Sequence, residues 1–254
     1  MQKVEVEGEI LRLVTGSRLY GTNVGTSDED FVSIFVESPA SVFIQDGEKT
    51  RSLRSRGNEE RSQAGDEEGV AYSVRHFVRL TANGNPSLLC LLWADRSYGH
   101  VLLDSDLGDL IFRNKDMFVS QQPIGKFLGY IKNQKMRMLG EKNGHKPKRP
   151  ELEALYGFDT KYAGHAVRLG YQGLQFALDG KISCPMPEES RKVCLDIREG
   201  KYTFEECIEL IENLEHDIKA AEAECILPEH PDWAGLARLS EEIHTTYWER
   251  TNGR

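Results

Sequence analysis

Two aspartates, Asp28 and Asp30, are separated by one residue. They directly precede FVSIFV, a run of β-branched and aromatic residues typical of a buried strand. Since alternate side chains of a strand share a face, both carboxylates are expected to point one way and Glu29 the other. Two carboxylates held that close repel each other unless a cation lies between them. Hard oxygen ligands on one face suit Mg²⁺, which takes its other ligands from water and substrate phosphates.

A glycine–serine pair precedes these aspartates, with ten residues between Ser17 and Asp28. Gly16 and Ser17 interrupt the preceding strand-like segment EILRLVT, so we expect a helix to start there with free backbone amides facing an anion. Gly16 would let the backbone approach closely, and the Ser17 hydroxyl would add a donor. An Asp-x-Asp motif alone is common in acidic turns. Its combination with a strand, a Gly-Ser turn and a second strand favours a functional site.

This arrangement resembles the signature of the nucleotidyltransferase superfamily that includes DNA polymerase beta, tRNA CCA-adding enzymes and antibiotic nucleotidyltransferases. That signature is a hydrophobic residue, Gly and Gly or Ser, about ten residues, and then Asp-hydrophobic-[Asp/Glu]. The matching residues are Gly16, Ser17, Asp28 and Asp30. Glu29 departs from the normally apolar middle position, and we expect its side chain to face solvent or a basic partner.

Three further blocks resemble a narrower family, the RNA-repair-associated DNA polymerase beta family of bacteria and their phages. They are YSVRHFVRLTANGNPSLLCLLWA, YGFDTKYAGHAVRLGYQGLQFALDGKI and LDIREGKYTFEE. With the aspartate region they extend from Leu11 to about Trp248, across nearly the whole chain. The resemblance implies transfer of a nucleoside monophosphate from an NTP to a hydroxyl, with an RNA (tRNA-like) 3′ end as the expected acceptor.

The resemblance also implies a third carboxylate on a later strand, brought beside the pair by sheet pairing. In this family an acid precedes the strand that ends in Tyr-Ser, and Glu68, four residues before Tyr72, fits best. Asp66 and Glu67 are alternatives because the polar segment before them leaves the register open. The Asp-Glu-Glu run is equally compatible with a solvated loop.

The roles that follow are those of a two-metal phosphoryl transfer, with Mg²⁺ or Mn²⁺ as the cofactor. Asp28 and Asp30 would bridge the two ions, and the third carboxylate would serve the second ion and help to remove the proton of the attacking hydroxyl. Attack on the α-phosphate of the NTP would release pyrophosphate.

A second candidate group lies in DTKYAGHAVRLGYQGLQFAL, where Lys161, His165 and Arg168 recur on one face of a predicted helix beside an apolar stripe. The family block Asp-Thr-Lys-x-Ala-x-His-x-x-Arg-Leu matches the stretch from Asp159 to Leu169. We expect Lys161 and Arg168 to bind the triphosphate or an acceptor phosphate, with His165 as a neighbouring donor. The alternative is a partly exposed basic face on which His165 packs structurally.

Charge is distributed unevenly along the chain, whose net charge is -9. Residues 126–149 carry eight Lys or Arg and one acid, so this segment is +7 and the remainder is -16. Such a basic block can hold an RNA backbone locally, and Lys132, Lys135 and Arg137 are the candidate RNA contacts. A solvated helix face followed by a basic loop explains the block equally well.

The elements that must position these residues indicate an α+β fold. Strands are predicted at residues 9–15, 31–38 and 69–74, with a polar surface excursion at 45–68. From about residue 105 the pattern is helical, which predicts a small mixed-sheet nucleotidyltransferase domain at 1–104 and a helical domain at 105–254. Asn85-Pro86 predicts a helix start, and Thr203 with Glu206 predicts a capping box.

The five cysteines are odd in number and lack a CxxC pair, which favours free thiols over disulfides or zinc. No segment approaches the roughly 18 apolar residues of a membrane span, and the charged N-terminus is unlike a signal peptide, so we expect no membrane partner and a cytoplasmic location.

Two other functions stay open. One is nucleotidylation of a protein or a small molecule, which the acidic remainder suits; the other is a nucleotide-binding module that has lost catalysis.

Overall fold

The structure, a computed structural model, describes residues 5–25, 27–44, 47, 49–54, 67–141 and 149–252, with the side chains of 54, 67 and 252 outside this description. The chain divides into two compact units, Met1–Val119 with His230–Arg254, and Ser120–Glu229. The functional division predicted at residue 104 stays a prediction. The first boundary between the compact units follows Val119, later than residue 104, and the C-terminal segment belongs to the first unit.

Five strands form the sheet of the first unit: β1 (Glu9–Val14), β2 (Glu29–Phe35), β3 (Thr50–Arg54), β4 (Glu67–Ser73) and β5 (Val101–Asp104). Their order is β3-β4-β2-β1-β5. β2 and β4 are parallel, whereas the other neighbours are antiparallel. β1, β2 and β4 confirm the three predicted strands, and the mixed sheet followed by helices confirms the α+β class.

β3 corrects the prediction that residues 45–68 form only a surface excursion. It pairs antiparallel with β4, from Thr50 opposite Tyr72 to Arg54 opposite Glu68. Leu53 is buried in a cluster with Val6, Phe31, Phe35 and Ala71. A strand at the edge of a sheet is held by backbone pairing and one anchoring side chain, so it needs no long apolar pattern. Residues 55–66 lie outside the described chain.

The helices of the described chain are α1 (Gly16–Tyr20), α2 (Pro39–Ile44), α3 (Val74–Ala82), α4 (Pro86–Leu89), α5 (Asp106–Arg113), α6 (Gln122–Met138), α7 (Pro150–Tyr156), α8 (Thr160–Asp179), α9 (Glu188–Arg198), α10 (Phe204–Ala223) and α11 (Trp233–Asn252). Asn85 caps α4 by accepting from the amides of Ser87 and Leu88. Thr203 and Glu206 form the capping box of α10. Both predicted helix starts are confirmed.

α8 is the central helix of the second unit and packs against α6, α9 and α10. Its predicted apolar stripe is buried, and the stripe consists of Tyr162, Ala166, Leu169, Gly173 and Phe176. A Cβ on Gly173 would lie 2.9 Å from Phe127 Cβ of α6. The missing side chain therefore lets two helices approach more closely than any larger residue would allow.

α11 is fixed to the end of β2 by the buried carboxylate of Glu37. Nε2 of His244 lies 2.9 Å from Glu37 Oε2, and the indole N–H of Trp248 donates to the Glu37 carbonyl at 2.8 Å. The Arg75 guanidinium donates to Glu37 Oε1 at 2.9 Å. These contacts explain why the last helix belongs to the sheet unit although the whole second unit separates them in sequence.

No helix within the described ranges is both long and apolar enough to cross a membrane. All five cysteines are free thiols, as predicted, and four of them are buried. Burial raises the pKa of the Cys194 and Cys207 thiols to about 12. The thiols are therefore protonated at neutral pH and behave as small apolar side chains.

Candidate active site

The parallel pairing of β2 with β4 places Asp30 directly opposite Glu68. Opposed residues of neighbouring strands point to the same face of a sheet. Asp28 immediately precedes β2, two residues before Asp30, so strand alternation assigns it to that face as well. Glu67 pairs with Glu29 instead, and Asp66 lies outside the described residues. Among the three alternatives for the third carboxylate, the register supports Glu68.

Gly16 lies against Asp30. A Cβ on Gly16 would collide with Oδ2 of Asp30, and the backbone has φ +65°, a region that favours glycine. The Thr15 amide donates to the Asp30 carbonyl at 2.9 Å. α1 starts at Gly16, as predicted, and the amide of Thr22 donates to the Ser17 carbonyl at 2.9 Å. The Gly-Ser turn and the second aspartate therefore form one contiguous structure.

Arg18 braces the loop that carries the first aspartate. Its guanidinium lies 3.2 Å from Glu29 Oε1 and donates to the carbonyls of Asp28 and Ser27 at 3.4 and 3.5 Å. Glu29 thus has the basic partner that its charged side chain predicts. The ion pair is largely exposed, so its role is to orient the loop more than to stabilise the fold.

The carboxylates suit a hard divalent cation by donor type, since ionised Asp and Glu offer only oxygen acceptors. Asp28, Asp30 and Glu68 are each half-buried, which leaves them reachable from solvent. Within the ranges that the structure describes, however, no group of three or more His, Cys, Asp or Glu side chains is arranged so that it could hold a metal ion. The fit therefore rests on the register and on the donor chemistry.

The predicted residues of α8 lie together, each half-buried, in the second unit. Nη1 of Arg168 donates to Oε1 of the buried Gln172 at 2.7 Å, which fixes the direction of the guanidinium. Burial, followed by the charges of Arg168, Lys161, Arg198 and Arg149, holds the pKa of His165 well below its usual value. His165 is therefore neutral at physiological pH, a polar group among cations.

Two arginines outside α8 join this group. Arg149, just before α7, lies 2.9 Å from the Asp159 carboxylate, and its guanidinium is 4.9 Å from the Tyr162 ring. The Arg198 side chain packs along the surface of α8, at 3.1 Å from a Cβ built on Gly164. Burial, and then the charge of Arg149, lowers the pKa of Arg198.

The predicted RNA contacts on α6 do not form one exposed set. Lys132 is exposed, whereas Nζ of Lys135 lies 2.6 Å from Glu212 Oε1 on α10. Arg137 is half-buried with its guanidinium 6.0 Å from the Tyr162 ring, beside the α8 cations. In the described part of the chain, neither Tyr162 Oη nor Arg137 Nε has a hydrogen-bond partner. Of the other basic residues of that block, Lys126 is exposed and Arg149 belongs to the group around α8, whereas Lys142, Lys146 and Lys148 lie outside the described residues.

The sequence model of the RNA repair pathway DNA polymerase beta family (RlaP) matches residues 3–240. The chain belongs to this family. An uncharacterised 38.9 kDa protein of Enterobacteria phage T4 is 27% identical over 128 residues, which are 49% of this chain and 37% of the phage protein. A nucleotidyltransferase-like protein from Exiguobacterium sibiricum aligns over 98% of this chain and 75% of its own, at 12% identity and a TM-score of 0.29. That last likeness carries no argument below.

RlaP membership indicates a nucleotidyltransferase of the DNA polymerase beta type and gives weight to the aspartate pair. Arg18 and Arg198 contact the candidate site residues, and motif spacing does not reveal them. Arg18 follows the Gly-Ser pair directly, which is the one sequence signal for it. Arg198 belongs to a different helix from the α8 motif, so only the packing of α9 on α8 identifies it.

Proposed function

We propose that this RlaP chain is a metal-dependent nucleotidyltransferase that transfers a nucleoside monophosphate from an NTP to a hydroxyl and releases pyrophosphate. The observation that carries the proposal is the pairing of Asp30 with Glu68 beside the Gly16 turn. That arrangement gathers on one sheet face the acidic residues and the close-approach backbone that phosphoryl transfer requires.

Asp28, Asp30 and Glu68 would hold Mg²⁺ or Mn²⁺, which when bound neutralises triphosphate charge and makes the acceptor hydroxyl more acidic. The Gly16–Ser17 turn lets the triphosphate approach the backbone, and the Ser17 hydroxyl donates to it. Arg18 keeps the Asp28 loop in position. Glu68 is the carboxylate that we expect to accept the proton of the attacking hydroxyl.

The cations of the second unit are proposed to bind phosphate groups of the NTP or of the acceptor. His165 is exposed to the charges of four basic residues, Lys161, Arg149, Arg168 and Arg198. The Asp159 carboxylate is already engaged by Arg149 and by the first amides of α8. A group of cationic side chains in a half-buried setting attracts a phosphate more strongly than exposed cations do, because the local dielectric is lower than in water. His165 is neutral and can donate one hydrogen bond without adding repulsion.

An RNA 3′ end is the proposed acceptor. The family description supplies the RNA context, and the block of residues 126–149 supplies a local charge of +7 for a phosphate backbone. A protein or small-molecule acceptor would make less use of that block.

The test is incorporation of each radiolabelled NTP into a mixed tRNA and short-RNA pool with Mg²⁺ or Mn²⁺. We expect label on RNA, reduced by about 10³-fold or more in Asp30→Asn and in Glu68→Gln, because each removes metal stabilisation of several kcal/mol. Glu242→Gln, which removes an exposed carboxylate on α11, is the matched control and should leave the rate unchanged.

Three other outcomes point elsewhere. Pyrophosphate release in a cell extract without labelled RNA would replace the RNA acceptor by a protein or a small molecule. NTP binding without turnover in either metal would indicate a nucleotide-binding module. Full activity of Glu68→Gln would return the role of third carboxylate to Asp66 or Glu67.

A further inference from the structure

A cavity of about 460 Å³ opens in the first unit, with lining residues from β1, β2, β5 and the loop before β5. Its lining includes Glu29 and Asp30, so a ligand in the cavity lies next to the candidate catalytic strand. Sites for small organic ligands commonly occupy about 300–1,000 Å³, so one nucleoside or a molecule of similar size fits.

The rim of the cavity carries an aromatic platform. Tyr98 is 64% exposed, and its ring lies on the His100 ring with centroids 5.8 Å apart and planes inclined by 20°. The Val14 amide donates to the His100 carbonyl at 2.8 Å, which fastens this loop to β1. A large exposed ring on a fixed loop offers a π-face to a flat ligand at little cost in conformational entropy.

The lining has no net positive charge, which argues against a phosphate as the occupant. Arg12 is buried and held by Glu9 at 2.7 Å, with its guanidinium 4.8 Å from the Phe31 ring. Arg18 is paired with Glu29, and Asp30 adds a further negative charge. A cavity of this composition favours a neutral, polar, aromatic ligand over an anion.

Hydrogen-bonding groups are present to read the edge of such a ligand. The Asp95 amide donates to Nδ1 of His100 at 3.2 Å, so Nδ1 is the acceptor and Nε2 carries the proton. Burial lowers the pKa of His100, although Asp95 opposes this, and the ring is thereby kept neutral. The exposed Asn23 adds an amide that can donate and accept.

We propose that this cavity is a nucleoside-binding subsite, in which a base stacks on Tyr98 and presents its polar edge to Asn23 and His100. Val14 and Leu102 supply apolar surface for the remainder of the nucleoside. That the nucleoside belongs to a substrate of the transfer reaction rests on the proposed function. The preference of the cavity for a neutral nucleoside over a phosphate rests on its own lining.

The experiment is equilibrium dialysis of the full chain against radiolabelled adenosine, cytidine, guanosine and uridine without metal. Tyr98→Ala should weaken nucleoside binding between about 5-fold and about 150-fold, the range for a lost base–aromatic stack. Tyr98→Trp should retain binding, because it keeps the stacking surface. Phe43→Ala, which removes another exposed ring of the same unit, is the control and should bind like the wild-type chain.

Two further ligand pairs identify which substrate supplies the nucleoside. If the base of the NTP occupies the cavity, Tyr98→Ala weakens binding of that NTP but not of inorganic tripolyphosphate. If the terminal base of the acceptor occupies it, the variant weakens binding of short RNA but not of the same RNA with an abasic 3′ residue. Nucleoside, NTP and RNA affinities that are all unchanged in Tyr98→Ala overturn the subsite.

The subsite and the proposed function can fail separately. Nucleotide transfer that proceeds with unaltered KM values in Tyr98→Ala removes the subsite and leaves the function standing. Nucleoside binding that depends on Tyr98, in a chain that transfers no nucleotide to any acceptor, removes the function and leaves the subsite standing.

Discussion

At the scale of single residues, Gly16 combines two constraints that can be separated experimentally. Its positive φ disfavours any L side chain, and a Cβ would collide with Oδ2 of Asp30. Gly157 also has positive φ, +83°, but no atom lies within 4 Å of its missing Cβ. Gly16→Ala is therefore expected to suffer backbone strain and displacement of a candidate metal ligand, whereas Gly157→Ala suffers strain alone.

The prediction is that both substitutions lower the free energy of unfolding by about 1–2 kcal/mol, the cost of a left-handed non-glycine residue. Only Gly16→Ala should also lose nucleotide transfer, at temperatures where both variants remain folded. Urea unfolding gives the stability change, and the labelled-RNA assay gives the rate. Equal activity of the two variants would show that Asp30 is not positioned by the Gly-Ser turn.

The residues of the candidate site differ in how far their sequence reveals them. Asp28 and Asp30 are predictable because strand alternation acts over two residues and needs no tertiary information. Glu68 is less so, since the Tyr72–Ser73 end of its strand indicates an acid in this region but leaves Asp66 and Glu67 as alternatives, and the register of β4 supports Glu68. Tyr98 and His100 belong to no motif. Only the structure indicates a role for them, because it shows that their loop is hydrogen-bonded to β1.

At the scale of elements, the basic face of α8 offers a prediction about phosphate binding. Lys161 and Arg168 lie in a half-buried group of cations, whereas Lys192 on α9 is 74% exposed and paired with Asp196 at 2.6 Å. Lys161→Ala and Arg168→Ala should each weaken binding of RNA or tripolyphosphate by about tenfold or more, as expected for a lost charge-assisted hydrogen bond. Lys192→Ala should change neither affinity.

The measurement is affinity as a function of salt concentration. Each removed phosphate contact should make the slope of log affinity against log salt concentration less steep, by the contribution of one contact. Unchanged affinity and unchanged slope in both variants would mean that the α8 cations serve the packing of the second unit only.

Elements with local signals are predictable from this sequence, and elements without them are not. The α10 start is encoded in a capping box, and the α4 start in Asn85-Pro86, so both follow from neighbouring residues. β3 depends on the edge of β4 for its hydrogen bonds, and β5 on β1, so neither carries enough pattern of its own. Helix faces such as α8 are predictable, but the contribution of Arg198 from α9 is not.

At the scale of the whole molecule, the chain returns to its first unit at the end. A sequence that is strand-rich first and helical later suggests two consecutive halves. The helical pattern of α11 does not indicate which unit this helix packs in. A group of hydrogen-bonded residues holds α11 in the first unit: the buried Glu37 and His244 and the half-buried Arg75 and Trp248. Long-range polar pairing of this kind has no periodicity and therefore leaves no trace in the sequence.

The same group predicts how stability depends on pH. Burial alone would raise the pKa of Glu37, but hydrogen bonds from His244, Arg75 and Ser73 outweigh it and lower the pKa from 4.5 to about 2. A carboxylate with a lowered folded pKa contributes its full stability above the unfolded value and loses it as pH falls toward the folded value. The contribution of Glu37 is therefore present above about pH 4.5 and declines from there toward pH 2.

We expect Glu37→Gln to lower the free energy of unfolding at pH 7 by on the order of 3 kcal/mol, since the change in pKa has that equivalent. The variant should also lose the part of the acid destabilisation that falls between pH 4.5 and pH 2. Urea unfolding across this pH range measures both effects, and Glu242→Gln, an exposed acid of α11, should retain the wild-type profile. A Glu37→Gln profile parallel to that of the wild type would mean that the carboxylate stabilises by shape and packing, and that α11 is held to β2 without its charge.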